Sequence, residues 1–174
     1  GSEMCIRDSA EADAVRAAIF THCVKKDADG QPYFAWSVDL AGHHDVYDEP
    51  PGSLQLLPHY GFCERTDVIW QNTVRMIRSA DYKFSFAGKR IAEIGCPHAP
   101  WPWVLSLCNS LLCGHAEQAL RELTIMPMDN GIACESVDAD TGECTTGSAF
   151  ATCAGFLCHA LLTACKEGSS CGTI

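Results

Sequence analysis

The chain has 174 residues, with 12 Lys+Arg against 22 Asp+Glu, a formal net charge of −10, and 47% hydrophobic residues. That length suits one domain, and the apolar share excludes a disordered chain. The acidic balance excludes a phosphate-backbone partner, because no basic stripe exists to displace counterions, so no nucleic acid is expected.

Residues 1–9 look like a translated adapter, with a tail at 168–174 and one domain over 10–167. No signal peptide stands at the start. Ser9 is placed to cap a helix reaching about Lys25, striped by Val15, Ile19 and Cys23 at helical spacing. A turn over residues 28–32 leads to a short extended segment over 33–40. The polar run His43-His44-Asp45 offers metal-ligand residue types, yet three adjacent polar residues usually mark a loop. A second helix is expected near residues 51–53, limited by Pro58, and a third capped by Thr66 with Trp70, Val74 and Ile77 on its buried stripe. Residues 80–95 read as a loop.

A fourth helix starting near Pro100 carries Val104, Leu107, Cys108, Leu111 and Leu112 at helical spacing. Gly114 separates it from a fifth helix, and the two form a hairpin. Residues 126–146 read as a long polar loop, and the last helix spans about 148–165. Residues 147–165 hold no charge, but Ser148, Thr152, Gly155, His159 and Thr163 favour a helix buried in a bundle over a membrane span. The pattern is all-α: about six helices in hairpins, joined by loops long enough to carry function. The twelve cysteines include no Cys-x-x-Cys pair and sit among Ala, Leu and Phe. They read as buried thiols in a reducing, cytoplasmic setting, and no metal or other cofactor is expected.

Three segments offer chemistry. Asp48-Glu49-Pro50-Pro51-Gly52 sets two carboxylates before a rigid turn, for proton work, for sugar hydroxyls, or simply to cap a helix. Cys96-Pro97-His98-Ala99-Pro100-Trp101-Pro102-Trp103 could form an aromatic sugar platform with a hydroxyl-binding imidazole, or a core corner. Within residues 131–142, Glu135 follows an apolar run and suits a base. Asp138 and Asp140 alternate as calcium ligands do, but the EF-hand spacing fails and a solvated acidic loop is the simpler reading.

With these segments in hand, the chain resembles glycoside hydrolase family 125, metal-independent exo-α-mannosidases, from about Ile19 to Leu162. Members carry Tyr-x-x-x-Val-Asp, Asp-Asp-Ala-Asn-Val-Pro-Ser-Leu-Leu, Pro-Tyr-Leu-Gly, Ser-Pro-His-Thr and His-Glu-Ser-Phe. Phe34 to Asp39, Tyr47 to Leu54, Pro58-His59-Tyr60-Gly61, Cys96-Pro97-His98-Ala99 and Cys134-Glu135-Ser136-Val137 stand in the same order. The resemblance implies helical hairpins forming the C-terminal part of an (α/α)6 toroid. It implies an inverting, metal-independent glycosidase acting on an oligosaccharide or glycan, with Glu135 as general base. Asp48, His98, Trp101 and Ser136 would bind substrate. The family's general acid lies in an Arg-Pro-Ser-Asp-Asp segment outside this chain, so the chain reads as a C-terminal fragment. Members also carry Tyr-Thr-Arg-x-Trp-Phe-Ala-Trp-Ala-Asn where this chain has residues 145–154, without the Arg, Trp or Asn. That departure bears on mannose specificity. The rival readings are a glucoamylase-like hydrolase or phosphorylase, and a non-catalytic helical-hairpin scaffold.

Overall fold

A computed structural model describes residues 3–170 of the chain. Gly1, Ser2 and residues 171–174, parts of the expected adapter and tail, lie outside the described residues. Five α-helices are present among them: α1 (Glu3–Ala18), α2 (Val68–Ile77), α3 (Val104–Leu112), α4 (Ala116–Leu123) and α5 (Ala151–Ser170). Six short strands pair as three antiparallel hairpins: β1 (Val24–Lys26) with β2 (Pro32–Phe34), β3 (Ser37–Val38) with β4 (His44–Asp45), and β5 (Ser136–Val137) with β6 (Cys144–Thr146). The all-α expectation, and with it the all-helical toroid, is therefore corrected to a mixed architecture.

Turn chemistry explains the difference. Asp27 Oδ1 accepts from the amides of Asp29 and Gln31, and Gly30 takes φ +78°, so residues 27–31 reverse the chain between two strands. Asp138 Oδ1 does the same for the amides of Asp140 and Thr141, with Gly142 at φ +76°. The alternating aspartates that resembled a calcium loop are thus a hairpin turn. A Cβ on Gly142 would come within 2.8 Å of backbone atoms of Ile125 and Met126, so glycine is required there.

Helix boundaries also shift. Ser9 lies inside α1, which ends through a wide turn at Ile19–Cys23 before β1. The expected helix at 51–53 is a single tight turn, Leu54–Leu56, whose start Ser53 caps by accepting from the Gln55 amide. Asp67, not Thr66, caps α2, accepting from the amides of Ile69 and Trp70.

All nine residues of α3 are buried, its polar Ser106, Asn109 and Ser110 included, each with a hydrogen-bond partner. It packs chiefly against α5 and α4. The largest apolar cluster gathers Val104, Leu107, Cys108, Leu111 and Leu112 with Cys153, Leu157 and Ala160 of α5. A second joins Phe34, Trp70 and Val74, with Phe20 and Phe62 against them; a third holds Ile77, Tyr82 and Ile94. No helix among the described residues is long and apolar enough to cross a membrane.

Candidate functional site

Glu135 and Ser136 join the entry to α3 through backbone contacts, and His98 packs on Trp103 at its start. The backbone there is clamped by the β5–β6 hairpin: the Val104 amide donates to the Glu135 carbonyl at 3.0 Å, and the Val137 amide donates to the Pro102 carbonyl at 2.9 Å. Trp103 and Ser136 pair as an isolated bridge. Glu135 is half-buried, and its amide donates to the carbonyls of Thr146 (3.2 Å) and Gly147 (3.1 Å).

The Glu135 side chain is held by a line of hydroxyls. Thr146 Oγ1 donates to Glu135 Oε2 at 2.7 Å, and the buried Ser136 Oγ lies 2.5 Å from Thr146 Oγ1 and 2.9 Å from Thr145 Oγ1. Each hydroxyl has one proton. With Thr146's proton given to Glu135, Ser136 donates to Thr146 and accepts from Thr145. Ser136 therefore stands behind Glu135 as a support. Cys153, at the start of α5, feels the Glu135 charge: burial first, and that charge second, push its thiol up to about 12.

His98 packs against Trp103. Its ring meets the Trp103 indole edge-on, centroids 5.2 Å apart. His98 Nδ1 is 3.6 Å from Glu49 Oε1 and 3.3 Å from Cys96 Sγ. Tyr47 donates its hydroxyl proton to Glu49 Oε2. Trp103 itself is buried and anchored by its indole N–H on the Ala99 carbonyl. Trp101 is 38% exposed, and its amide closes the turn on Ala99.

Asp48 faces inward. It is fully buried and accepts from Ser53 Oγ (2.6 Å), the Leu54 amide (2.8 Å) and Gln55 Nε2 (3.4 Å). Burial nonetheless outweighs these bonds and raises its carboxyl to about 6. Asp48 caps the Leu54–Leu56 turn; of the two neighbouring carboxylates, Glu49 is the one turned toward His98. Sequence reasoning named Asp48 in this segment; the structure sets Glu49 beside His98 and Asp48 in the interior.

A hollow of about 210 Å³ lies between the 50–52 turn and the first turns of α3 and α5, lined by Pro50, Gly52, Leu56, Tyr60, Leu105 and Phe156 among others. It is smaller than the roughly 300–1,000 Å³ usual for ligand pockets. The other polar motifs are occupied in hairpins. His43 pairs with Asp39, His44 with the Tyr33 hydroxyl and Asp45 with Ser37. Thr146 and Gly147 were not foreseen as site residues: a Cβ on Gly147 would stand 2.5 Å from the Glu135 Cβ. Nothing in the residue types announced that contact.

The model of a family described as metal-independent alpha-mannosidase (GH125) matches residues 3–162. Among solved structures, a Streptococcus pneumoniae protein from a family of metal-independent alpha mannosidases, in a non-productive complex with alpha-1,6-mannobiose, superposes with a TM-score of 0.77. It is 23% identical, and the match covers 87% of this chain and 37% of that one. This chain thus spans little more than a third of the solved structure's length. No curated protein matches it.

Proposed function

The chain belongs to the metal-independent alpha-mannosidase family GH125, and from that premise we propose that it forms part of a catalytic domain that hydrolyses terminal α-linked sugars, α-mannosides first among them. In this reading Glu135 is the general base. It takes a proton from a water that attacks the anomeric carbon opposite the leaving group. An acid supplied by another part of the protein protonates the glycosidic oxygen. Inverting enzymes hold the two carboxyl groups about 6.5–9.5 Å apart to admit that water.

The observation that carries this reading is the mounting of Glu135. Its backbone is locked to α3 and to β6, and its carboxylate takes the Thr146 hydroxyl proton. Such a donor fixes one carboxylate oxygen and leaves the other for water. His98, which packs against Trp103, and the partly exposed Trp101 are assigned to the sugar.

A phosphorylase would need free cations for phosphate. The Lys89-Arg90 pair that could supply them is engaged with Asp140: Lys89 Nζ lies 3.3 Å from its carboxylate and Arg90 donates to its carbonyl. Hydrolysis is therefore the favoured reaction.

The test uses the longest reading frame that contains these residues, assayed on aryl α-mannosides. Glu135→Gln should lower kcat by about 10²–10⁴-fold, and the first-formed sugar should be the β anomer. An unchanged rate in Glu135→Gln removes the base assignment, and an α product removes the inverting scheme.

A further inference from the structure

We propose that Glu49, Cys96 and His98 form a binding site for a thiophilic divalent cation of the Zn²⁺ class. Their ligand atoms (a carboxylate oxygen, Sγ and an imidazole nitrogen) all lie within 4.8 Å of one another, a grouping found once among the described residues. Two of the separations are 3.3 Å (Cys96 Sγ to His98 Nδ1) and 3.6 Å (His98 Nδ1 to Glu49 Oε1). Zinc takes S at about 2.3 Å and N or O at about 2.0–2.2 Å, so tetrahedral ligands stand roughly 3.3–3.6 Å apart. The two measured separations already have that span; Cys96 Sγ also lies 3.8 Å from His98 Nε2, so the exposed imidazole turns to aim Nδ1 at a shared ion.

Each ligand is held from behind. The Tyr47 hydroxyl fixes Glu49 Oε2 and leaves Oε1 directed at His98. The Trp103 indole packs against the His98 ring, and Cys96 is fully buried, which fixes its Sγ. Outer contacts of this kind orient ligands in known metal centres. The His98 side chain is 63% exposed, so an ion can enter from solvent and its fourth position stays open. The mixed thiolate, imidazole and carboxylate set suits Zn²⁺ and its Co²⁺ substitute over the hard cations. The site shares His98 with the assigned sugar contact, in a family that reacts without a metal, and its cobalt readout stands or falls apart from the role of Glu135.

The test is a Co²⁺ titration of the purified, reduced chain, followed by competition with Zn²⁺. The expected result is a single equivalent bound, a sulfur-to-cobalt charge-transfer band, and loss of the band when Zn²⁺ is added. Cys96→Ser should abolish the band, which separates this thiol from the other cysteines. Glu49→Ala and His98→Ala should each weaken binding by at least the 10–100-fold typical of losing an outer-sphere partner. Both side chains reach solvent, so these two variants carry the test even if Cys96→Ser does not fold. No binding by the parent, a band that survives in Cys96→Ser, or parental affinity in both Glu49→Ala and His98→Ala overturns the proposal.

Discussion

Glu93 has no contact with solvent, and the Arg78 guanidinium, 12% exposed, lies 3.5 Å from its Oε2. Ser106 and Ser110 of α3 donate to the two Glu93 oxygens at 2.5 and 2.6 Å, and Arg78 also donates to Ser110 at 2.7 Å. This network ties the end of α2 to the polar positions of α3 within an apolar cluster. Removing one charge strands the other. Arg78→Met should therefore destabilise the fold by about 3–5 kcal/mol, and adding Glu93→Gln should recover much of that loss. Urea unfolding of the two single variants and the double variant measures it. Equal stability of Arg78→Met and the parent would show that the pair is not a unit. Burial and the charge of Glu93 also push the Glu122 carboxyl above its ordinary range, so the region holds one compensated charge and resists a second.

At the scale of elements, the junction from β6 into α5 decides where Glu135 sits. Gly147 adopts φ +59°, and a methyl group there would meet the Glu135 Cβ at 2.5 Å, with the Glu135 amide nitrogen and Oε2 both at 3.4 Å. The left-handed backbone alone costs an alanine roughly 1–2 kcal/mol. The contact adds a displacement of Glu135 away from Thr146. Gly147→Ala should thus lower stability by at least that amount and, under the proposed function, reduce hydrolysis of aryl α-mannosides well beyond what the stability loss explains. A variant as active as the parent, with stability reduced, would separate the glycine from the base. The same junction shows what the sequence carried and what it hid. The α3 stripe and the Trp70–Val74–Ile77 stripe of α2 were legible because helical spacing reports burial directly; residues 96–103 and 134–136 stood out by residue type alone. The hairpins were not, since strands of two or three residues show no period, and Asp138 and Asp140 serve equally as turn residues or cation ligands. The choice between Asp48 and Glu49 was hidden for a related reason: which neighbour turns inward is set by Ser53, Gln55 and the cap of one short turn.

For the whole molecule, α5 is the element whose two faces differ most in partnership. Cys153, Leu157 and Ala160 are buried against α3, whereas Gly155, Cys158, His159 and Leu162 are exposed, Leu162 by 64%. No charged residue occurs anywhere in residues 147–165 to solvate that outer face. His159 and His59, 3.4 Å apart at Nε2, are the polar groups that interrupt it. An uncharged helix face of this extent favours association over hydration. The solved relative presents the matching region as 37% of a longer chain, where further structure is available to pack on such a face. Alone, the 174-residue chain should self-associate as concentration rises, with the exposed Cys158 and Cys165 kept reduced so that no intermolecular disulfide contributes. Leu162→Glu places a charge at the centre of the face without disturbing the buried side of the helix, and should shift the population toward monomer. Sedimentation velocity over a concentration series reads both. A parent chain that stays monomeric throughout, or a Leu162→Glu variant that associates as strongly, would show that this face is adequately hydrated as it stands.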